Sequence, residues 1–319
     1  MSVVVFAEQW EGRFKKTTFE AVSYGRRVAD MLGVSTVAVV IGSLEDDPSE
    51  LASYGASKVV HFSEDSFNSF DSSAFASALK EVAVAEGARS VILSGTSNGK
   101  SVVPSMAIQW EAAPITNVAA LPDSVDPMTV KRGAFSSKGY VTYTTSEQKT
   151  VLCFIPNAIG AVEFPGAASV EEGSVSAEAR VRVKGVDRAT GSVPLPEAEL
   201  VVSGGRGLKG PENWGLIEEL AQLLGAGTAC SKPVSDMHWR PHSEHVGQTG
   251  IAINPNLYIA VGISGAIQHL AGVSNSKVIV VINSDSEAPF FKAADYGVVG
   301  DAFSVLPQLT EAVKRFKQG

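Results

Sequence analysis

The residues best placed to do chemistry form one run, Tyr258-Ile259-Ala260-Val261-Gly262-Ile263-Ser264-Gly265-Ala266-Ile267-Gln268-His269. It begins as a β-branched apolar strand and breaks at Gly262. It then enters a helix, expected over Gly265–Ala271, through small residues whose backbone N–H groups are free. A helix N-terminus also carries a partial positive charge, so the run predicts a phosphate cradle. Ser264 is placed to cap that helix and bond a phosphate oxygen. One turn further in, Gln268 and His269 reach whatever lies beyond the phosphates. Gly262-Ile263-Ser264-Gly265 lacks the G-x-S-x-G spacing of a nucleophile elbow, and no Asp and His follow in hydrolase order, which argues against a serine nucleophile. The run reads as a nucleotide-cofactor site with no catalytic residue of its own.

Other segments converge on the same reading. Gly205-Arg206-Gly207-Leu208-Lys209-Gly210 matches G-x-G-x-x-G after a strand at Leu200–Val202. A dinucleotide dehydrogenase needs an acid at the end of the next strand to hold the ribose. Here that region reads Gly227-Thr228-Ala229-Cys230-Ser231-Lys232, without a carboxylate. The glycines therefore fit a cofactor loop and a tight strand–helix turn equally well. Gly247-Gln248-Thr249-Gly250 can bring an N–H and a hydroxyl against a planar ring, although a plain turn has the same composition. Asn283 ends a buried strand and Asp301 follows another. Both stand where doubly wound sheets bind ligands, although Asn283 also suits a turn and Asp301 a helix cap. His238, His242 and His245 imitate metal spacing, but Pro241 interrupts any helix that would align them, so no metal ligand is expected. His61, alone in a strand, reads as structural.

The elements that must position these residues alternate regularly. Strands are expected at Val3–Ala7, Val37–Ile41, Val59–Phe62 and Ser90–Ser94, with helices over Thr17–Leu32, Phe75–Glu86 and Val103–Trp110. Apolar strands separated by helices indicate a parallel sheet covered on both faces. From Met128 to Ile155 the period becomes two, which predicts antiparallel strands added to an edge. Val170–Val186 alternates again. The polar stretch Thr190–Glu197, with Pro194 and Pro196, marks a boundary between an N-terminal domain, 1–193, and a C-terminal domain, 194–319. The second half restarts with strands at Leu200–Val202, Leu257–Gly262, Val278–Ile282 and Tyr296–Val299 and helices over Trp214–Leu224 and Val305–Phe316. The expected fold is α/β with two doubly wound domains, the second of Rossmann-like type.

Composition sets the outer limits. The chain has 319 residues, 45% of them hydrophobic and 19% charged, enough for real cores. A net charge of −8 argues against nucleic acid. Cys153 and Cys230 lie in apolar surroundings and read as free buried thiols in a reducing compartment. The first strand begins directly after Met1, leaving no room for a targeting segment, and no run has the length of a membrane span. A soluble cytoplasmic protein is expected.

Together these motifs make the chain resemble the alpha subunits of electron transfer flavoproteins. The resemblance rests on Val201-Val202-Ser203-Gly204-Gly205-Arg206-Gly207-Leu208-Lys209, on Val246-Gly247-Gln248-Thr249-Gly250, on Leu257–Gly272, and on Glu287-Ala288-Pro289 with Ala294-Asp295-Tyr296-Gly297. The N-terminal half agrees more loosely, around Phe14-Lys15-Lys16 and Gly95–Thr116.

The resemblance implies a bacterial heterodimer with an electron transfer flavoprotein beta subunit, FAD held by the C-terminal domain, and AMP in beta. Such a carrier takes electrons from acyl-CoA and related dehydrogenases to a membrane-bound electron transfer flavoprotein-quinone oxidoreductase, without substrate turnover of its own. It implies Arg206 near the FAD phosphates and flavin, and Ser231 and Lys232 over the isoalloxazine. It implies Gln248 and Thr249 against the flavin, and Ser264, Gly265 and Ala266 along the pyrophosphate and ribityl chain. His269 would face the flavin O2 edge, where a donor stabilises an anionic semiquinone. Asn283 and Asp301 would hold the adenosine end. Lys232 replaces the usual Arg, which exchanges a planar stacking group for a point charge. His245 stands where a neutral polar residue is usual, so a pH response near neutrality is expected.

Other readings stand beside this one. An NAD(P)- or flavin-dependent oxidoreductase would need the missing strand-end acid and a proton donor near a substrate pocket. A non-redox adenine-nucleotide module would leave His269 and Thr249 without a task. A bifurcating electron transfer flavoprotein, using NADH and ferredoxin, would keep its second flavin largely in beta.

Overall fold

The computed structural model describes residues 1–135, 139–175, 181, 183–185 and 194–318. They form two compact units, Met1–Gly133 with Tyr140–Asp187, and Ala134–Gly139 with Arg188–Gly319. The boundary expected at 193/194 adjoins residues 186–193, which lie outside the described residues.

The first unit is built on strands β1 (Ser2–Phe6), β2 (Ser35–Ile41), β3 (Lys58–Phe62), β4 (Ser90–Ser94), β5 (Ala113–Val118), β6 (Met128–Ala134), β7 (Gly139–Thr145), β8 (Thr150–Phe154) and β9 (Ser169–Glu172). Helices α1 (Lys16–Leu32), α2 (Ser72–Ala85) and α3 (Ser97–Trp110) connect them. The sheet order is β7-β6-β5-β8-β4-β1-β2-β3-β9, with a two-residue strand, Ser124–Val125, paired to β6. Apolar residues of β1 alternate between two buried clusters: Val4 and Phe6 face one, Val3 and Val5 the other. That is the signature of a parallel strand covered on both faces. Local caps set the helix ends. Asp71 accepts from the amides of Ser73 and Ala74 at 2.9 and 3.0 Å, and Gly33 closes α1 at φ 66°.

One expectation needs correction here. Thr150–Phe154 is not an added antiparallel strand; it is fully buried and runs parallel between β4 and β5. Its five residues bury on both faces, so its alternation with neighbouring segments was no guide to pairing. Among the described residues the antiparallel pairs given are β5–β6 and Ser124–Val125 with β6, and β7 lies beside β6 at the edge of the sheet. Among the described residues, the alternating stretch from Val170 contributes β9, exposed and parallel to β3. The remainder of Val170–Val186 falls partly on 176–180, 182 and 186, outside the described residues.

The second unit contains β10 (Leu200–Gly204), α4 (Gly215–Leu224), β11 (Gly227–Cys230), α5 (Lys232–Asp236), β12 (Leu257–Val261), α6 (Ile267–Leu270), β13 (Val278–Asn283), β14 (Tyr296–Val299) and α7 (Ala302–Gln318). All neighbouring strands are parallel, in the order β11-β10-β12-β13-β14. One face carries Trp214, Ile217 and Leu220 of the α4 region with Leu306 of α7. The other carries Tyr258, Ile263, Val273 and Phe290. The helix expected over Gly265–Ala271 shrinks to the single turn Ile267–Leu270. Gly262 and Gly265 both take left-handed φ, 62° and 81°, which no helix can absorb.

Candidate cofactor site

Because the five strands are parallel, their carboxyl ends share one edge, and the chain reverses its winding between β10 and β12. Ligands of doubly wound sheets bind at that switch point. Hydrogen bonds stitch the edge together just beyond the strands. Ser231 N donates to Gly204 O at 3.1 Å, Gly205 N to Val261 O at 2.8 Å, Gly262 N to Ile282 O at 2.8 Å and Gly300 N to Asn283 O at 3.0 Å.

The glycines at this edge are explained by close approach. A Cβ on Gly205 would stand 2.1 Å from Gly262 O, and one on Gly262 would stand 2.8 Å from Gly207 Cα. The match to G-x-G-x-x-G thus reflects two strand-end loops packed backbone against backbone. Beyond them opens a cavity of about 590 Å³, within the ~300–1,000 Å³ usual for cofactor sites.

Every residue proposed from sequence lines that cavity except Gly265 and Asp301. Gly265 lies behind it, where a Cβ would meet Phe290 at 2.4 Å. Asp301 lines a smaller adjoining recess with Gly207, Gly262 and Asn283. Its carboxylate accepts from Phe303 N at 3.1 Å and caps α7. Asn283 is engaged too: its Nδ2 donates to Ile263 O at 3.0 Å and its Oδ1 accepts from Asp285 N.

The phosphate cradle takes a different form from the one expected. A one-turn helix has little macrodipole, so its field is weak. What remains is donors: among the described residues, the amides of Ser264, Gly265, Ala266 and Ile267 donate to no protein acceptor.

The two histidines at the site are both buried. His269 Nε2 lies 2.8 Å from the Tyr258 hydroxyl, and its ring meets Phe290 edge-on. Burial pushes its pKa down to about 4, with His245 adding to the effect and the Val246 carbonyl opposing it. His245 is also shifted down from its ordinary value, by burial first and then by His242 and Lys232, with Asp236 opposing. The shift runs downward, away from the neutral response expected from sequence. Gly250 packs against its ring and Val246 N bonds Cys230 O at 3.1 Å, which fixes the 245–250 turn over β11. Gln248 N donates to Gln268 O at 2.7 Å, so the two polar turns are tied to each other.

Lys232 lines the cavity with its ammonium 2.7 Å from Asp236, and both side chains are more than half exposed. The pairing holds the Asp236 carboxyl below its usual range. His242 and His245 lie 5.3 Å apart between centroids with their rings tilted at 60°, and among the described residues no group of three His, Cys, Asp or Glu is arranged for a metal. His61 Nε2 bonds Gly42 O at 2.8 Å, in keeping with a structural role.

Sequence reasoning missed two contributors. Tyr258 was read only as the start of a strand, and only its spatial neighbour His269 reveals its part. Arg240 grips both carboxylate oxygens of Glu244 at 2.6 and 2.9 Å and reaches Glu218 at 2.8 Å, anchoring the segment before His245 to α4. The Arg240/Glu244 spacing of four residues was the available signal.

Strand order and crevice define the second unit as a doubly wound cofactor-binding domain of the 2-1-3-4-5 type. Residues 194–274 match the family described as "Electron transfer flavoprotein FAD-binding domain", and residues 3–180 match "Electron transfer flavoprotein domain". The chain is 36% identical over 318 residues to the electron transfer flavoprotein subunit alpha of Bacillus subtilis, covering 98% of this chain and 97% of that one. It is 41% identical over 217 residues to the Paracoccus denitrificans subunit alpha, covering 67% and 70%. It is 33% identical to Protein FixB of Clostridium saccharobutylicum, covering 98% and 96%. The chain belongs to the electron transfer flavoprotein alpha-subunit family, whose matched domain binds FAD.

The site suits that group. Nδ1 of His245 is buried without a hydrogen-bond partner, the kind of orphaned atom a bound polar molecule satisfies. The run of unpaired amides at Ser264–Ile267 suits phosphate oxygens.

Proposed function

We propose that this chain is the FAD-holding subunit of a heterodimeric electron carrier. It pairs with an electron transfer flavoprotein beta subunit that carries AMP. It accepts electrons from acyl-CoA and related dehydrogenases and passes them to a membrane quinone oxidoreductase. It turns over no substrate of its own and works in the bacterial cytoplasm. No described helix is long and apolar enough to cross a membrane. The domain that holds the cofactor begins at residue 194.

One observation carries the reading: the residues expected around a flavin dinucleotide, all but Gly265 and Asp301, come from separate strand ends and line a single cavity at the switch point. FAD supplies the redox chemistry, and the protein supplies binding, orientation and field. Ser264 and Ala266 offer amides to the pyrophosphate, and Arg206 adds positive charge beside them. Gln248, Thr249 and Ser231 present short polar groups to the ring system. His269 and Lys232 shape the field there, and Asn283 and Asp301 stand toward the adenosine end.

The test is the visible spectrum of the chain co-purified with its beta partner during stepwise reduction. The expected result is a yellow complex that takes up its two electrons in separate one-electron stages. A colourless complex, or a flavin reduced only in one two-electron step, would overturn the proposal.

A further inference from the structure

Tyr258 is entirely buried in the middle of β12, flanked by Val201 of β10 and Ile279 of β13. Its ring cannot leave that position without opening the sheet face. Its hydroxyl lies 2.8 Å from His269 Nε2, and Phe290 packs on both rings, with centroids 6.3 Å from Tyr258 and 5.7 Å from His269. The imidazole is thus held at one nitrogen and across one face.

The direction of the hydrogen bond follows from counting protons. A phenol has one proton, and a neutral imidazole has one bare nitrogen. If His269 donated from Nε2, the tyrosine proton would need another acceptor in the core. Ser203 Oγ, buried on the neighbouring strand, acts on the phenol as a donor to its oxygen, so it supplies no acceptor for that proton. A stranded O–H costs about 1–3 kcal/mol. If Tyr258 donates, its proton and the bare Nε2 satisfy each other, and the imidazole proton resides on Nδ1.

We propose that Tyr258 is a positioning residue that acts through His269, donating to Nε2 and so fixing the ring plane and the Nδ1–H tautomer. His269 lines the cavity, and Nδ1–H, served by the Val246 carbonyl, is then the ring's one donor. The consequence for the cofactor rests on the flavin reading; the tautomer does not.

The experiment is 15N–1H spectroscopy of the histidine side chains in the full chain without cofactor, followed by FAD titration with the beta subunit present. The chain has five histidines, and His269→Gln identifies the resonance. Wild type is expected to show His269 as a single Nδ1–H tautomer. In Tyr258→Phe both tautomers are populated. The His269 titration midpoint rises by about one pH unit, the tenfold change of one ordinary hydrogen bond to the neutral form. His245 is the titratable group that also bears on His269 and is present in both proteins. FAD affinity falls by roughly tenfold on the same basis. An Nε2–H tautomer in wild type, or an unchanged tautomer and midpoint in Tyr258→Phe, would overturn the proposal. If Tyr258→Phe does not fold, the wild-type spectrum decides alone. A chain with the Nδ1–H tautomer that takes up no FAD would keep the tautomer assignment and overturn the function proposed above.

Discussion

The ammonium of Lys232 lies 2.7 Å from the Asp236 carboxylate, one turn along α5. The charge that replaces the family's usual arginine is therefore partly neutralised within its own helix. Asp236→Asn releases that charge at the cavity wall and should raise the two-electron flavin midpoint potential by about 20 mV, for about 1 kcal/mol of added attraction. Stability should change by less than about 1 kcal/mol, because the pair is exposed. Spectroelectrochemical titration checks the first figure. A potential that does not move would place the Lys232 ammonium out of reach of the ring.

Gly262 is confined twice, by its φ of 62° and by Gly207 Cα, which would stand 2.8 Å from an added Cβ. Gly262→Ala should cost on the order of 2 kcal/mol or more and abolish tight FAD binding. Gly215→Ala, at the start of α4 where an added carbon meets nothing within 4 Å, should be neutral or mildly stabilising. Urea unfolding and FAD titration of the two variants make the comparison.

Acid should weaken the fold through its buried histidines. The folded-state pKa of His269 is about 4, below the ~6.5 of an unfolded chain. Between those values the unfolded chain binds the proton and the folded chain does not, so stability rises with pH. The contribution is complete above about pH 6.5 and is lost as pH falls toward 4, with a ceiling of about 3 kcal/mol. His245, shifted in the same direction, adds to it. Urea midpoints measured from about pH 7 to about pH 4.5 should fall more steeply in wild type than in His269→Gln.

The two thiols should be inert in the native protein. Cys153 and Cys230 are buried and free, and burial pushes both up to about 12. A thiol reagent at neutral pH should therefore titrate neither until denaturant is added, when both react. Fast labelling of either in the native state would contradict their burial.

Much of this was written locally in the chain. The apolar runs at Val3–Ala7, Val201–Val202 and Val278–Ile282 could only be buried parallel strands, because nothing on them tolerates water on either face. The glycine breaks after Val261 and Gly204 mark where the backbone must turn and approach another backbone. Those features set the fold class and placed the candidate residues at strand ends.

What only the tertiary structure decided were pairings across distance. Nothing local to Thr150–Phe154 says that it slots between β4 and β5 instead of joining an antiparallel edge. The helix after Gly265 is one turn long because Gly265 holds φ 81°, and Phe290, 25 positions away in the chain, leaves no room there for a side chain. His269 carries its proton according to Tyr258, and the charge of Lys232 is set by where its flexible stem finds Asp236. Periodicity and composition record whether a residue is buried, since burial acts on each side chain separately. Partner, tautomer and field depend on which groups meet, and that is fixed only when the whole chain has packed.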